Sequence, residues 1–145
     1  MVITDGKPRD ALTRLEGGAR CTWFLPSSEP MTARKRWIAA AVDTAGAITI
    51  DDGAVSALRV GKSLLPAGVT QVDGTFDRGD AIAVKTLDGR IAGRGLSAYS
   101  SSDARLIMGR KSRDIENILG YRGRDEMIHR NDLVTELSAA GAPEE

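Results

Sequence analysis

Apolar positions change their rhythm along this chain, and the changes mark out its elements. In the first stretch Val2-Ile3 precedes the turn-forming Asp5-Gly6-Lys7-Pro8, and Ala11, Leu12 and Leu15 then recur at helical spacing. This predicts the end of a strand and a short helix over Arg9 to Leu15, which Gly17-Gly18 ends. From Ala47 to Tyr99 the period is mostly two. Ala47-Ile48-Thr49-Ile50, Val69 to Phe76, Ala81 to Thr86 and Arg90 to Tyr99 read as strands, with Gly74, Arg78-Gly79-Asp80 and Asp88-Gly89 as turns. One helical interval interrupts them: Asp51 or Asp52 is placed to cap Ala54 to Leu58, and Gly61 to stop it. Pro66 and Gly68 exclude a helix interior between Leu64 and Val69. After Tyr99 the period turns helical, with Ser101 or Ser102 as cap for Asp103 to Met108 and Ser112 for Arg113 to Leu119, stopped by Gly120. Met127-Ile128 and Leu133-Val134 fit closing strands and a last short helix equally.

Short strands at this spacing predict a small, closed or nearly closed sheet. The fold class expected is mainly β with flanking helices, an α+β arrangement. A lone strand and helix cannot bury their apolar faces, so residues 1–20 read as the offcut of a larger α/β domain. Pro26-Ser27-Ser28-Glu29-Pro30 has the composition of a linker, and Trp23 and Phe24 just before it are expected to anchor the chain by burial. From Ser138 onward an Ala/Gly/Pro/Glu tail is expected to be disordered.

Composition narrows the picture. Of the 41% hydrophobic residues in 145, 19 are alanine and only six are aromatic, which predicts a small aliphatic core. Twenty basic against 20 acidic residues argue against a polybasic tail, while leaving room for a local basic face. Cys21 and His129 are single copies, so neither an intrachain disulfide nor a Cys/His zinc site is available. A reducing, cytoplasmic setting is expected. The longest apolar run, Trp37 to Val42, is far short of the ~20 residues of a spanning helix, and no signal-like apolar core follows the start.

Several short motifs look chemical. Gly61-Lys62-Ser63 ends like a phosphate-binding loop, but the first glycine of that pattern falls on Ser56, and a helix precedes where a strand is required. Gly93-Arg94-Gly95-Leu96-Ser97-Ala98 fits a relaxed dinucleotide fingerprint, yet strand alternation runs through it, so a bent strand is the better reading. His129-Arg130-Asn131-Asp132 mimics a kinase catalytic loop with its acid displaced by one. Two basic clusters remain: Arg34-Lys35-Arg36 beside Trp37, and a later group from Arg105 to Arg130 diluted by acids.

The order Asp51-Asp52-Gly53-Ala54, Leu58, Gly61-Lys62-Ser63-Leu64-Leu65-Pro66-Ala67-Gly68-Val69, Gly74, Phe76, Arg78-Gly79-Asp80, Ile91-Ala92 and Gly95 resembles a PUA domain over about residues 46 to 105. The resemblance implies a β-barrel or pseudo-barrel with a helix after its first strand. The flanks are similar to the C-terminal part of bacterial glutamate 5-kinases: Thr22-x-Phe24, Arg34-Lys35-Arg36-Trp37-Ile38, Gly95-x-x-x-Tyr99-Ser100-Ser101, Leu119-Gly120-Tyr121 and His129-Arg130. Cys21 stands where that family usually has glycine, and Asn131-Asp132 where an acid usually follows the arginine.

This resemblance implies residues 1–20 as the last strand and helix of a kinase domain and 21–45 as linker and lead-in. A PUA core over 46–105, a helical extension over 106–137 and the tail 138–145 would follow. It implies a parent enzyme that phosphorylates the glutamate side-chain carboxylate with ATP and magnesium, opens proline biosynthesis and is inhibited by proline. No catalytic, metal or cofactor residue is expected in this chain. Its implied partner is the amino-acid-kinase domain of the same parent chain, and its role there regulatory or structural. The alternative is an RNA-binding module of an RNA-modifying enzyme, binding weakly beside the 54–58 helix through Arg59, Lys62, Ser63 and Arg94. No membrane partner is expected.

Overall fold

The computed structural model describes residues 2–7, 9–25, 30–40 and 43–137, in two units, Met1–Pro30 and Met31–Glu145. Residues 26–29 of the expected linker and the tail from Ser138 lie outside the described residues.

In the first unit β1 (Val2–Thr4) pairs antiparallel with β2 (Cys21–Trp23), Ile3 opposite Thr22, and α1 (Ala11–Glu16) connects them. No described residue between Val2 and Leu25 is buried. The strand over Cys21–Trp23 was not expected, because three residues are too few to show a period. The expected burial of Trp23 and Phe24 is not observed: they are 63% and 47% exposed.

The second unit opens with α2 (Pro30–Ala40), a helix the sequence reading left as a basic run. Proline at its first position suits a helix start, where the missing N–H has no intrahelical acceptor anyway. Ile38 alone among its described side chains is buried. A five-stranded sheet follows, built from β3 (Gly46–Ile50), β4 (Val69–Gly74), β5 (Ala81–Thr86), β6 (Ile91–Leu96) and β7 (Leu133–Thr135) in the order β4-β3-β5-β6-β7. Every neighbouring pair is antiparallel except β3 with β5, where Ile48 lies opposite Val84. A parallel pair needs a crossover, and α3 (Asp52–Arg59) with β4 supplies it.

The two parallel strands sit in the middle of the sheet and are buried on both faces. Ala47, Ile48 and Ile50 of β3 and Ile82, Ala83 and Val84 of β5 all lie inside. Edge strand β4 buries only Val69 and Val72. The sheet stays open between β4 and β7, so the architecture is mixed α+β with an incomplete barrel rather than a closed one. Leu64 and Ile128 form an isolated antiparallel bridge, and Met127 also accepts from the Ala98 N–H just beyond β6. Thus Met127-Ile128 reads as a single bridge and Leu133-Val134 as a strand.

Glycine permits the β6–β7 contact. A Cβ at Gly95 would come within 2.7 Å of the Ile128 side chain and 2.9 Å of the Asp132 carbonyl oxygen, while one at Gly93 would collide with the Val134 carbonyl. The fingerprint-like glycines therefore let β7 and its lead-in approach closely.

Helices α4 (Ser101–Ile107) and α5 (Ile115–Leu119) lie between β6 and β7 in the chain. The cap of α4 is Ser100, which accepts from the Asp103 N–H at 3.2 Å, not Ser101 or Ser102. Ser101 is committed elsewhere: its hydroxyl accepts from the Phe76 N–H, and its own N–H donates to the Phe76 carbonyl. Ser112 opens a short 3-10 turn, and its hydroxyl donates to the Asp125 carbonyl instead of capping a helix. Gly120 ends α5 with φ +76°, as expected.

Tyr99, almost wholly buried, donates its hydroxyl to the Arg124 carbonyl and so ties the end of β6 to the loop after α5. Burial raises its pKa above the ordinary 10.0. Replacing it by Phe should lower the unfolding free energy by about 1 to 2 kcal/mol in urea melts, because the carbonyl loses its partner. A raised folded pKa contributes stability that is complete below the unfolded value and lost as pH rises through the folded one. Stability should therefore fall above pH 10, and Tyr99→Phe should fall less steeply, keeping the part due to Tyr121, whose pKa is also raised by burial and by Asp103.

Candidate functional site

One groove is framed by α3 and the loop behind it. Asp51 caps the helix: its carboxylate accepts from the Ala54 N–H at 2.7 Å, and its own N–H donates to the Gly68 carbonyl at 3.0 Å. At the other end the Gly61 N–H donates to Leu58 and the Lys62 N–H to Ala57, with Gly61 at φ +76°. That pair of bonds is a Schellman stop. The chain then reverses through Ser63 and Leu64, and a 3-10 turn over Pro66–Gly68 brings it back against the helix. Gly68 is needed there, since a Cβ would lie 2.6 Å from that of Ala54.

The result is a cavity of about 520 Å³ lined by Ala54, Ala57, Lys62, Ser63, Leu65 and their neighbours, with Asp51 and Glu126 on its walls. One ammonium faces two carboxylates, one of which already holds the helix cap. Such a groove has no positive field to gather a polyanion.

Of the four residues singled out in the sequence, the structure brings Lys62 and Ser63 to this groove and places Arg59 and Arg94 elsewhere. Arg59 borders a separate cleft of about 660 Å³ that also contains Glu136. Arg94 points its Nη1 at the Glu136 carboxylate, 2.9 Å away, and at the Ala39 carbonyl, 3.3 Å away. Ser63 is occupied too, its hydroxyl accepting from the Arg130 N–H at 2.9 Å. Glu126, Arg130 and Glu136 were missed as neighbours of these residues. They arrive through the Leu64–Ile128 bridge and strand β7, and nothing in local spacing announces either.

The motif look-alikes resolve structurally. Gly61-Lys62-Ser63 is the helix stop, and Gly93-Arg94-Gly95 lies inside β6. His129 Nδ1 accepts from the Asn131 N–H at 3.2 Å, capping the 3-10 turn Arg130–Asp132. Among the described residues no group of three or more His, Cys, Asp or Glu side chains is placed to hold a metal.

These features define a small α+β module in which a capped helix, a glycine stop and a returning loop frame one groove. The PUA domain description matches residues 46–119, and the chain belongs to that family. It is 58% identical over 136 residues to the glutamate 5-kinase of Paramagnetospirillum magneticum, a match that covers 94% of this chain and 37% of that protein. With the glutamate 5-kinase of Sinorhizobium fredii it shares 54% identity over 145 residues, all of this chain and 37% of the relative. The chain thus spans little more than a third of the length of these curated relatives. Among solved structures it is similar to a PUA domain from Aeropyrum pernix K1, with 26% identity, a TM-score of 0.48, and coverage of 66% of this chain and 45% of that one.

Both ends of α3 are set by single residues. Asp51→Ala should cost about 1 kcal/mol by removing the cap, and Gly61→Ala about 1 kcal/mol by forcing a Cβ into the left-handed region. Denaturant melts of the two variants and their combination check this, with near-additive losses expected because the two ends share no partner.

Proposed function

We propose that this chain is the PUA region of a glutamate 5-kinase and acts as a regulatory and structural appendage of that enzyme. The observation that carries the reading is the match itself: identity of 54% or more runs along nearly the whole chain, while covering little more than a third of each relative. In this reading the ATP, magnesium and glutamate sites belong to an amino-acid-kinase domain of the same parent chain. There the γ-phosphoryl group passes to the glutamate side-chain carboxylate at the opening of proline biosynthesis, in the cytoplasm.

Features of this chain support that division of labour. The one phosphate-loop look-alike is engaged in ending α3, so its lysine is not framed for a nucleotide's β- and γ-phosphates. The small β1–β2 unit buries none of its described residues, which fits a last strand and helix whose apolar neighbours lie in the kinase domain. No helix among the described residues is long and apolar enough to cross a membrane.

An RNA-binding module of an RNA-modifying enzyme is the second reading, favoured by the presence of Lys62 and Ser63 in the groove beside α3. Two carboxylates in that groove and the Arg94–Glu136 pair weigh against it.

The test compares a parent enzyme with and without this region. Deletion should leave glutamate phosphorylation in place while shifting the proline inhibition constant or the magnesium dependence by about fivefold or more, the lower end of ordinary allosteric coupling. The 145-residue chain alone should form no γ-glutamyl phosphate in a hydroxamate-trapping assay. Unchanged proline and magnesium responses after deletion would remove the regulatory role.

A further inference from the structure

Among the described residues four of the 20 Lys and Arg side chains form ion pairs with acids. Arg34 pairs with Asp132 at 2.7 Å, Arg90 with Asp88 at 2.5 Å, Arg94 with Glu136 at 2.9 Å and Arg113 with Asp114 at 3.7 Å. A small cleft of about 130 Å³ gathers three of the others. Lys35 of α2, Lys62 behind α3 and Arg130 ahead of β7 all line it, and no acidic residue does. The nearest acid in sequence, Asp132, is held by Arg34.

Three like charges around one cleft repel each other, and the segments that carry them are held in place by contacts of their own. Helix α2 is held by the fully buried Ile38, by the Arg34–Asp132 pair and by the Arg94 bond to the Ala39 carbonyl. Lys62 follows directly on the Gly61 stop, its N–H bonded to Ala57. Arg130 is set by the bond from its N–H to Ser63 Oγ and by the His129 cap of its turn. Asn131 and Thr135 add neutral polar groups to the same cleft.

We propose that this cleft binds a phosphate group, taken as a tetrahedral oxyanion. Ammonium and guanidinium side chains lining one cleft, with no carboxylate in that lining, can recognise phosphate oxygens through charge-assisted hydrogen bonds. Size sets the limit. The volume corresponds to about four waters at ~30 Å³ each, whereas pockets for whole drug-sized ligands run from about 300 Å³ upward. The cleft takes the phosphate and leaves the rest of its carrier outside. This site shares Lys62 with the groove beside α3 but none of the groove's other lining residues, and its existence does not depend on the kinase reading.

The experiment is a calorimetric or NMR titration of the 145-residue chain at low ionic strength with inorganic phosphate, ribose 5-phosphate and a short oligouridylate lacking a terminal phosphate. Saturable phosphate binding on the order of 1 mM is expected, weakening as salt is added. Lys35→Gln, Lys62→Gln and Arg130→Gln should each weaken it by about three- to tenfold, with unchanged thermal midpoints. Arg59→Gln, outside the cleft, should leave it unchanged. Tighter binding of ribose 5-phosphate than of the oligomer assigns a monoester as the source, and the reverse order assigns the RNA backbone; either supports the site if the same three substitutions weaken it. Absence of saturable binding, or binding insensitive to Lys35→Gln and Arg130→Gln, overturns it.

Discussion

The backbone exchange between Leu64 and Ile128 holds this molecule's surface features in register. The Leu64 N–H donates to the Ile128 carbonyl, and the Leu64 carbonyl accepts from the N–H groups of Met127 and Ile128. Both side chains are buried, so the bonds form where water cannot compete for them. Through this one contact the returning loop behind α3 meets the segment that leads into β7. Glu126 reaches the groove beside α3 and Arg130 reaches Ser63 because Leu64 and Ile128 are joined between them. Weakening that exchange would disturb the α3 groove and the cationic cleft together, although neither is made of Leu64 or Ile128 alone.

Local signals in the sequence located the elements whose causes are local. Asp51 caps α3 because a carboxylate there meets an orphan N–H, and Gly61 stops it because only glycine takes φ +76° without strain. Strand β5 was read to the residue, since turns bound it on both sides. Helix α2 escaped notice for a physical reason: with one buried described side chain it has no apolar stripe, and pattern reading depends on stripes. The cap of α4 was misplaced by one residue because three serines stand in a row, and only the pairing of Ser101 with Phe76, far away in sequence, decides among them. Closure of the sheet likewise depends on long-range pairing, which a period of two does not report.

The site was legible to the same extent. Lys62 and Ser63 follow a recognisable helix stop, so their place beside α3 could be read. Arg59 and Arg94 were grouped with them by charge, but charge in a sequence carries no direction. Glu136, brought in behind β7, claims Arg94. Neutral composition hides the outcome as well, since equal numbers of acids and bases permit both full pairing and the local surplus at Lys35, Lys62 and Arg130.

The parallel pairing of β3 with β5 and the late addition of β7 carry a consequence for how the molecule comes into being. On a growing polypeptide β3 waits for a crossover before its parallel neighbour exists, and β6 waits until Leu133 to Thr135 emerge. The central strands are apolar on both faces, so until then they expose surface that a partner chain could capture. Gly93 and Gly95, which leave room for β7 and its lead-in, also leave the outer rim of β6 thin and without side-chain cover during that interval. Synthesis speed between β6 and β7 is therefore a variable of this fold. A pause placed there would prolong the vulnerable nascent state, whereas rapid passage to Thr135 would seal it.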